Sequence, residues 1–200
     1  PAAPDDLPPP DAPFANATQV AVGHGAACAL SGGRVWCWGT NFFVPVPVPG
    51  LDEVDAMYDV GLDFCVLRNG QLICGVSVRH SGQPVLGVDN VSALAAGGSH
   101  LCVLIQGSVL CQGTNYYGQL GNGTTTDSDN WVGVAGITTA TALAAGRHHT
   151  CALLLDGTVR CWGENIYGAL GDGTTISRLL PVPVAGLAGA TAIAAGQDHS

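Results

Sequence analysis

The chain of 200 residues contains no lysine. Its positive charge comes from six arginines scattered from Arg34 to Arg178, set against 15 Asp and Glu, for a net charge of −9. Gripping phosphates takes clustered Lys or Arg, so nucleic acid and anionic membrane surfaces are poor partners. Every apolar run is broken by Gly, Pro or charge well short of the roughly 18 residues that a membrane-spanning helix needs. Without lysine there can be no phosphate-cradling loop of the Gly-Lys type, and no Gly-x-Ser-x-Gly elbow is present. No carboxylate pair stands out as an acid–base couple. These absences weigh against a single catalytic pocket.

What the sequence does contain, it says four times. Aligned on cysteine, it reads CALSGGRVWC (28–37), CVLRNGQLIC (65–74), CVLIQGSVLC (102–111) and CALLLDGTVRC (151–161). A second element recurs as ATQVAVG (17–23), VSALAAG (91–97), ATALAAG (140–146) and ATAIAAG (190–196). Self-similarity at such spacing marks a propeller, solenoid or array. A compact chain of this length buries about 70% of its unfolded surface, enough for a core.

The turn chemistry sets how the cysteines face one another. Two-residue turns at Gly32-Gly33, Asn69-Gly70 and Gln106-Gly107 pair Cys28 with Cys37, Cys65 with Cys74, and Cys102 with Cys111. Asn-Gly and Gly-Gly suit such turns because both central residues need positive φ. The fourth copy has one extra residue, and a three-residue loop Leu155-Asp156-Gly157 again sets Cys151 opposite Cys161. Cysteines on the fourth rung from the turn fall on a non-hydrogen-bonded pair with Cα atoms about 4.5 Å apart, within reach of a disulfide. Four such bridges place the protein outside the cytoplasm, extracellular or on the cell surface. The alternatives are reduced cross-strand pairs in a cytosolic protein and a metal or redox role, the latter lacking ligands gathered around one point.

Three to four short strands per unit of about 49 residues, with almost no helical periodicity, fit a propeller blade. Strands are expected at 142–145, 192–195 and 179–184, with a hairpin over 151–162. The Ala-Ala-Gly strands suit an innermost position, where blades crowd and large side chains collide. The opening, PAAPDDLPPPDAPFAN, reads as a Pro-rich tether over 1–16, of the kind that follows an export signal or anchor or links two domains.

The stretch GRHHTCALLLDGTVRCWGENIYGALGDGTTISRLLPVPVAGLAGATAIAAG (146–196) resembles the regulator of chromosome condensation repeat, and NYYGQLGNGTT (115–125) keeps the same landmarks. The resemblance implies an all-β fold, a β-propeller, usually of seven blades. About four are expected here over 17–200 (24–61, 62–97, 98–146, 147–196 and the start of a fifth), as part of a longer ring. A four-bladed ring closed by 17–23 is the alternative, since propellers run from about four to eight blades. Copies one and two lack about twelve residues of the Gly-x-Leu-Gly-x-Gly segment, which shortens their outer loops.

His100, His149 and His199 occupy one repeat position, so a structural role in bonding a turn is expected of them, whereas a catalytic base is needed once. Trp38 and Trp162 share the Trp-Gly landmark and are assigned to the core; Trp131, in a stretch read as loop, is the better contact residue. No metal, cofactor or catalytic residue is assigned. The expected function is that of a non-enzymatic, secreted or cell-surface binding module presenting loops to a protein or surface ligand. Its candidate contact residues are Asn115, Tyr116, Tyr117, Asp127, Asp129 and Trp131, with Asn165, Ile166, Tyr167 and Arg178 from the fourth copy, since aromatics and Arg usually anchor interfaces. Inhibition of a hydrolase such as a β-lactamase is a concrete subtype that the resemblance suggests. It also implies an alternative, guanine-nucleotide exchange on a small GTPase; a further alternative, since the chain reads as part of a longer ring, is a propeller joined to a catalytic domain outside this chain.

Overall fold

The computed structural model describes residues 16–22, 26–39, 42–60, 64–77 and 80–200. Residues 1–15 of the 1–16 stretch read as tether lie outside them, as does Gly23, the last residue of the first repeated element. The described residues form four four-stranded antiparallel sheets, each an up-and-down meander whose strand order follows the sequence. The first contains β1 (Ala17–Val22), β2 (Ala26–Ser31), β3 (Arg34–Gly39) and β4 (Phe42–Pro47). The second contains β5 (Ala56–Asp59), β6 (Phe64–Arg68), β7 (Gln71–Ser77) and β8 (His80–Pro84). The third contains β9 (Ala93–Ala96), β10 (His100–Ile105), β11 (Ser108–Gly113) and β12 (Ser128–Gly133). The fourth contains β13 (Ala140–Ala145), β14 (His149–Leu154), β15 (Val159–Gly163) and β16 (Arg178–Pro183). No helix of the described residues is long and apolar enough to cross a membrane.

Each sheet continues from its first strand into the cysteine hairpin; the first strand is rich in small residues in the third and fourth sheets, ALAA and ATALAA, but not in the second, AMYD. The ladders pair Cys28 with Cys37, Cys65 with Cys74, Cys102 with Cys111 and Cys151 with Cys161. All four pairs are disulfide-bonded, with Cα atoms 4.1 Å apart. The turn dihedrals agree with the two-residue geometry: Asn69 and Gly70 have φ of 53° and 75°, Gln106 and Gly107 of 49° and 82°. In the fourth hairpin Leu154 N–H donates to Thr158 O at 2.9 Å across the longer loop, with Gly157 at φ 76°. Each bridge closes a loop of about ten residues and is worth roughly 2–3 kcal/mol on the chain-entropy account.

The chain divides into two compact units, one ending at Leu86 and the other spanning Gly87–Ser200. In the first unit, Cys28, Leu30, Val35 and Cys37 of the first sheet meet Phe64, Val66, Ile73 and Val76 of the second, and β1 lies beside β5. In the second unit, Cys102, Leu104, Val109 and Cys111 of the third sheet are covered by Ala152 and Trp162 of the fourth, and β9 lies beside β13. Side chains alternate between sheet faces. The bridge in β10–β11 therefore points toward the next sheet, while Ala152 between Cys151 and Leu153 points back. Alanine strands meeting at the sheet edges allow the close approach expected of crowded inner strands.

One expected strand is missing from the ladders. Residues 192–195 repeat β13 in sequence but pair with no hairpin among the described residues, so they carry no strand assignment. A single extended segment gains its hydrogen bonds only from a neighbour.

Candidate interaction rim

The β3–β4 and β7–β8 connections contain only residues 40–41 and 78–79, whereas β11–β12 and β15–β16 are joined by 114–127 and 164–177. The two long loops share one design. Asn115 is fully buried, and its Nδ2 donates to Thr124 O at 3.0 Å and Thr126 O at 3.1 Å, while its Oδ1 accepts the Leu120 N–H at 2.9 Å. Asn165 does the same with Thr174 O at 3.1 Å, Ile176 O at 3.2 Å and the Leu170 N–H at 2.9 Å. Each Asn thus satisfies backbone groups that would otherwise be orphaned beneath the loop. Gly118 and Gly168, at φ 83° and 75°, turn the chain so that their N–H groups bond back to Asn115 O and Asn165 O, both at 2.9 Å.

Asn115 and Asn165, expected among the contact residues, are therefore internal posts. Buried amides facing their own loop cannot face a partner. Arg178 is also tied down: its Nε donates to Asp172 Oδ2 at 2.8 Å and its Nη2 to Thr174 Oγ1 at 3.4 Å. Burial pushes the Asp172 carboxyl up, but hydrogen bonds from Thr174, Arg178 and Asn165 outweigh it and hold the group at about 2. Asp127 Oδ1 accepts the Asn115 N–H at 2.7 Å, closing the third repeat's loop from outside. Trp131 lies on β12 rather than in a loop, half-buried beside Gly87, because the chain after residue 127 returns to pair with β11. Asp129 is exposed on the same strand.

The side chains these posts push outward are Tyr116, 76% exposed, Ile166, 52%, and Tyr167, 72%. Tyr117 is half-buried and meets the Tyr116 ring edge-on at 4.9 Å and the His148 ring at 5.2 Å. A ridge of apolar and aromatic groups on a rigid base can bury area on a partner with little loop-ordering cost.

His100 and His149 make bonds to the following repeat. His100 Nε2 lies 2.8 Å from Thr150 Oγ1 on β14, and that hydroxyl donates to Gln119 O at 3.2 Å. One repeat later, His149 Nε2 lies 2.7 Å from Ser200 Oγ. Each ring rests on the glycine three residues earlier, and a Cβ added at Gly97, Gly146 or Gly196 would strike His100, His149 or His199. Burial, reinforced by His148 and His149, lowers His100 to about 4, so it is neutral at pH 7. His149 is also lowered, chiefly by burial, with Asp198 opposing. Trp162 is fully buried and its Nε1–H donates to Gln119 O at 2.9 Å; Trp38 is half-buried on β3. Gln119 escaped the sequence reading because its carbonyl, common to every residue, is what the neighbouring sheet uses.

Residues 106–153 and 156–200 match the regulator of chromosome condensation (RCC1) repeat, and 140–169 match a second form of it. Residues 106–200 therefore carry RCC1 repeats. The fold is accordingly an all-β propeller of that type. Human WBSCR16 is similar at a TM-score of 0.76 and 22% identity, over 91% of this chain and 56% of that one. Prp20p of Saccharomyces cerevisiae, solved with attention to its binding of Gsp1p and histones, is similar at 0.69 and 20%, over 90% and 54%. Yeast RCC1 (Prp20) bound to Kap60 gives 0.71 and 20%, over 90% and 52%. The chain thus spans about half the length of these structures, and at such identity the likeness speaks for the fold. No curated protein matches the sequence.

Proposed function

We propose that this RCC1 repeat chain is a non-enzymatic protein-binding module, exported and stapled by its four disulfides, that docks a partner on the Tyr116, Tyr117, Ile166 and Tyr167 ridge. The observation that carries the reading is the pairing of exposed apolar side chains with a loop base locked by a buried Asn in two successive repeats. The bridges support export, because cytosolic thiols are kept reduced. RCC1-fold structures are found bound to proteins, as in the Kap60 complex. Secreted hydrolases, β-lactamases first, are the class to try.

The test measures binding and inhibition for a panel of such enzymes, with the parent chain and a Tyr116→Ala, Ile166→Ala, Tyr167→Ala variant. Binding weakened about thirtyfold or more in the variant is expected from loss of aromatic anchors. Equal binding by both would remove the ridge from the interface. Eight free thiols in protein recovered from its native compartment would refute export. The relation to Prp20p, studied with Gsp1p, keeps a second reading in view, nucleotide exchange on a small GTPase. Faster release of labelled GDP on adding the chain would put that reading first.

A further inference from the structure

The outermost strands β4, β8, β12 and β16 end on the same rung of their ladders. Pro47 stands opposite Trp36, Pro84 opposite Ile73, Gly133 opposite Leu110 and Pro183 opposite Arg160. The residue that follows bonds back into its own sheet every time. The N–H groups of Val48, Val85, Val134 and Val184 donate to Val35 O, Leu72 O, Val109 O and Val159 O at 2.8 to 3.0 Å. Bonds within an antiparallel pair alternate along the strand, so the residue before each valine turns its backbone away from the sheet, toward the open edge. Proline has no N–H to offer there, and edge strands are blunted in this way against pairing with another chain. In three sheets the outward position is proline; in the third it is Gly133.

Gly133 departs from its three counterparts in two ways at once. It keeps the N–H that they lack, and it has no side chain to hold a neighbour off. The residue is exposed, and a Cβ built on it would meet nothing within 4 Å. Its φ is not positive, so neither turn geometry nor crowding within the chain calls for glycine at this place. A glycine in a strand then serves the close approach of a second backbone. The strand also carries charge of one sign. Asp129 on β12 and Asp127 just before it are exposed, and neither joins an ion pair among the described residues.

We propose that the outer edge of β12 is a docking site for an extended, basic segment of a partner protein, which adds to the third sheet as a further strand with Gly133 at the point of closest approach. Gly133 N–H donates to a carbonyl of that segment and Gly133 O accepts one of its N–H groups, while its Lys or Arg side chains meet Asp127 and Asp129. A second copy of this chain is the poorer occupant, because each copy has a net charge of −9 and no lysine. The edge uses none of Tyr116, Tyr117, Ile166 and Tyr167, so the inference does not rest on the ridge or on the function proposed for it.

Gly133→Pro is the variant to make, since it copies the residue of the three counterpart strands and leaves the charge unchanged. The probe is a fluorescently labelled peptide alternating lysine with valine, titrated against the whole chain and followed by anisotropy. Two control peptides accompany it, one N-methylated through its central residues and one with glutamate in place of lysine. Saturable one-to-one binding of the lysine peptide is expected, weakened about tenfold or more by Gly133→Pro and by N-methylation, as for the loss of main-chain hydrogen bonds. The glutamate peptide should not bind, and amide exchange at Gly133 should slow when the lysine peptide is present. If Gly133→Pro lowers the denaturation midpoint, the N-methylated peptide on the parent chain carries the test. Absence of binding, equal binding by the two chains, or binding indifferent to N-methylation would overturn the proposal, the last by reducing the contact to charge alone. So would a dimer of the parent chain in light scattering that Gly133→Pro dissolves, since a second copy would then own the edge.

Discussion

Replacing Asn165 with alanine tests whether the loop is held from within. The side chain is fully buried, and its removal orphans the buried Leu170 N–H together with Thr174 O and Ile176 O. An unsatisfied buried group costs about 1–3 kcal/mol, and the two carbonyls lie near solvent that can partly replace the amide, so the sum is about 3 kcal/mol. Denaturant titration without reductant, read by tryptophan fluorescence and circular dichroism, measures it. Asn165→Asp sharpens the argument: it keeps an acceptor for Leu170 N–H but turns a carboxylate toward carbonyls. It should cost at least as much at pH 7 and recover part of the loss once the acid protonates. Asn115→Ala should repeat the result one loop earlier. A loss below about 0.5 kcal/mol, the range of an ordinary surface substitution, would refute the reasoning.

Two further outcomes follow from the same structure. His100 is held at about 4 in the folded chain, below its ordinary 6.5, so the unfolded chain binds more protons between those values; stability is fully present above about 6.5 and is lost as pH falls toward 4, by about 3 kcal/mol. A His100→Asn variant should flatten that part of a stability–pH curve, and an unchanged slope would refute it. Replacing Cys102 and Cys111 by alanine should cost roughly 2–3 kcal/mol in unfolding free energy, and no change in the denaturation midpoint would count against a structural bridge.

Much of the fold could be read locally. A hairpin's register depends on the number of residues in its turn, so Gly32-Gly33, Asn69-Gly70 and Gln106-Gly107 carried the pairing of six cysteines, and the extra residue before Gly157 carried that of the last two. The repeat and its landmarks identified the propeller. Of the candidate contact residues, Tyr116, Ile166 and Tyr167 project outward, while Asn115, Asn165 and Arg178 are held by bonds within their own loops, which a single sequence does not display.

By itself the sequence determined turn type and cysteine pairing, because each depends on residues within about a dozen positions of one another. Tertiary structure alone decided that His100 reaches Thr150 and that Trp162 seats over Gly121. These contacts join residues some 40 to 50 positions apart, across sheets whose approach is set by packing rather than by any local pattern.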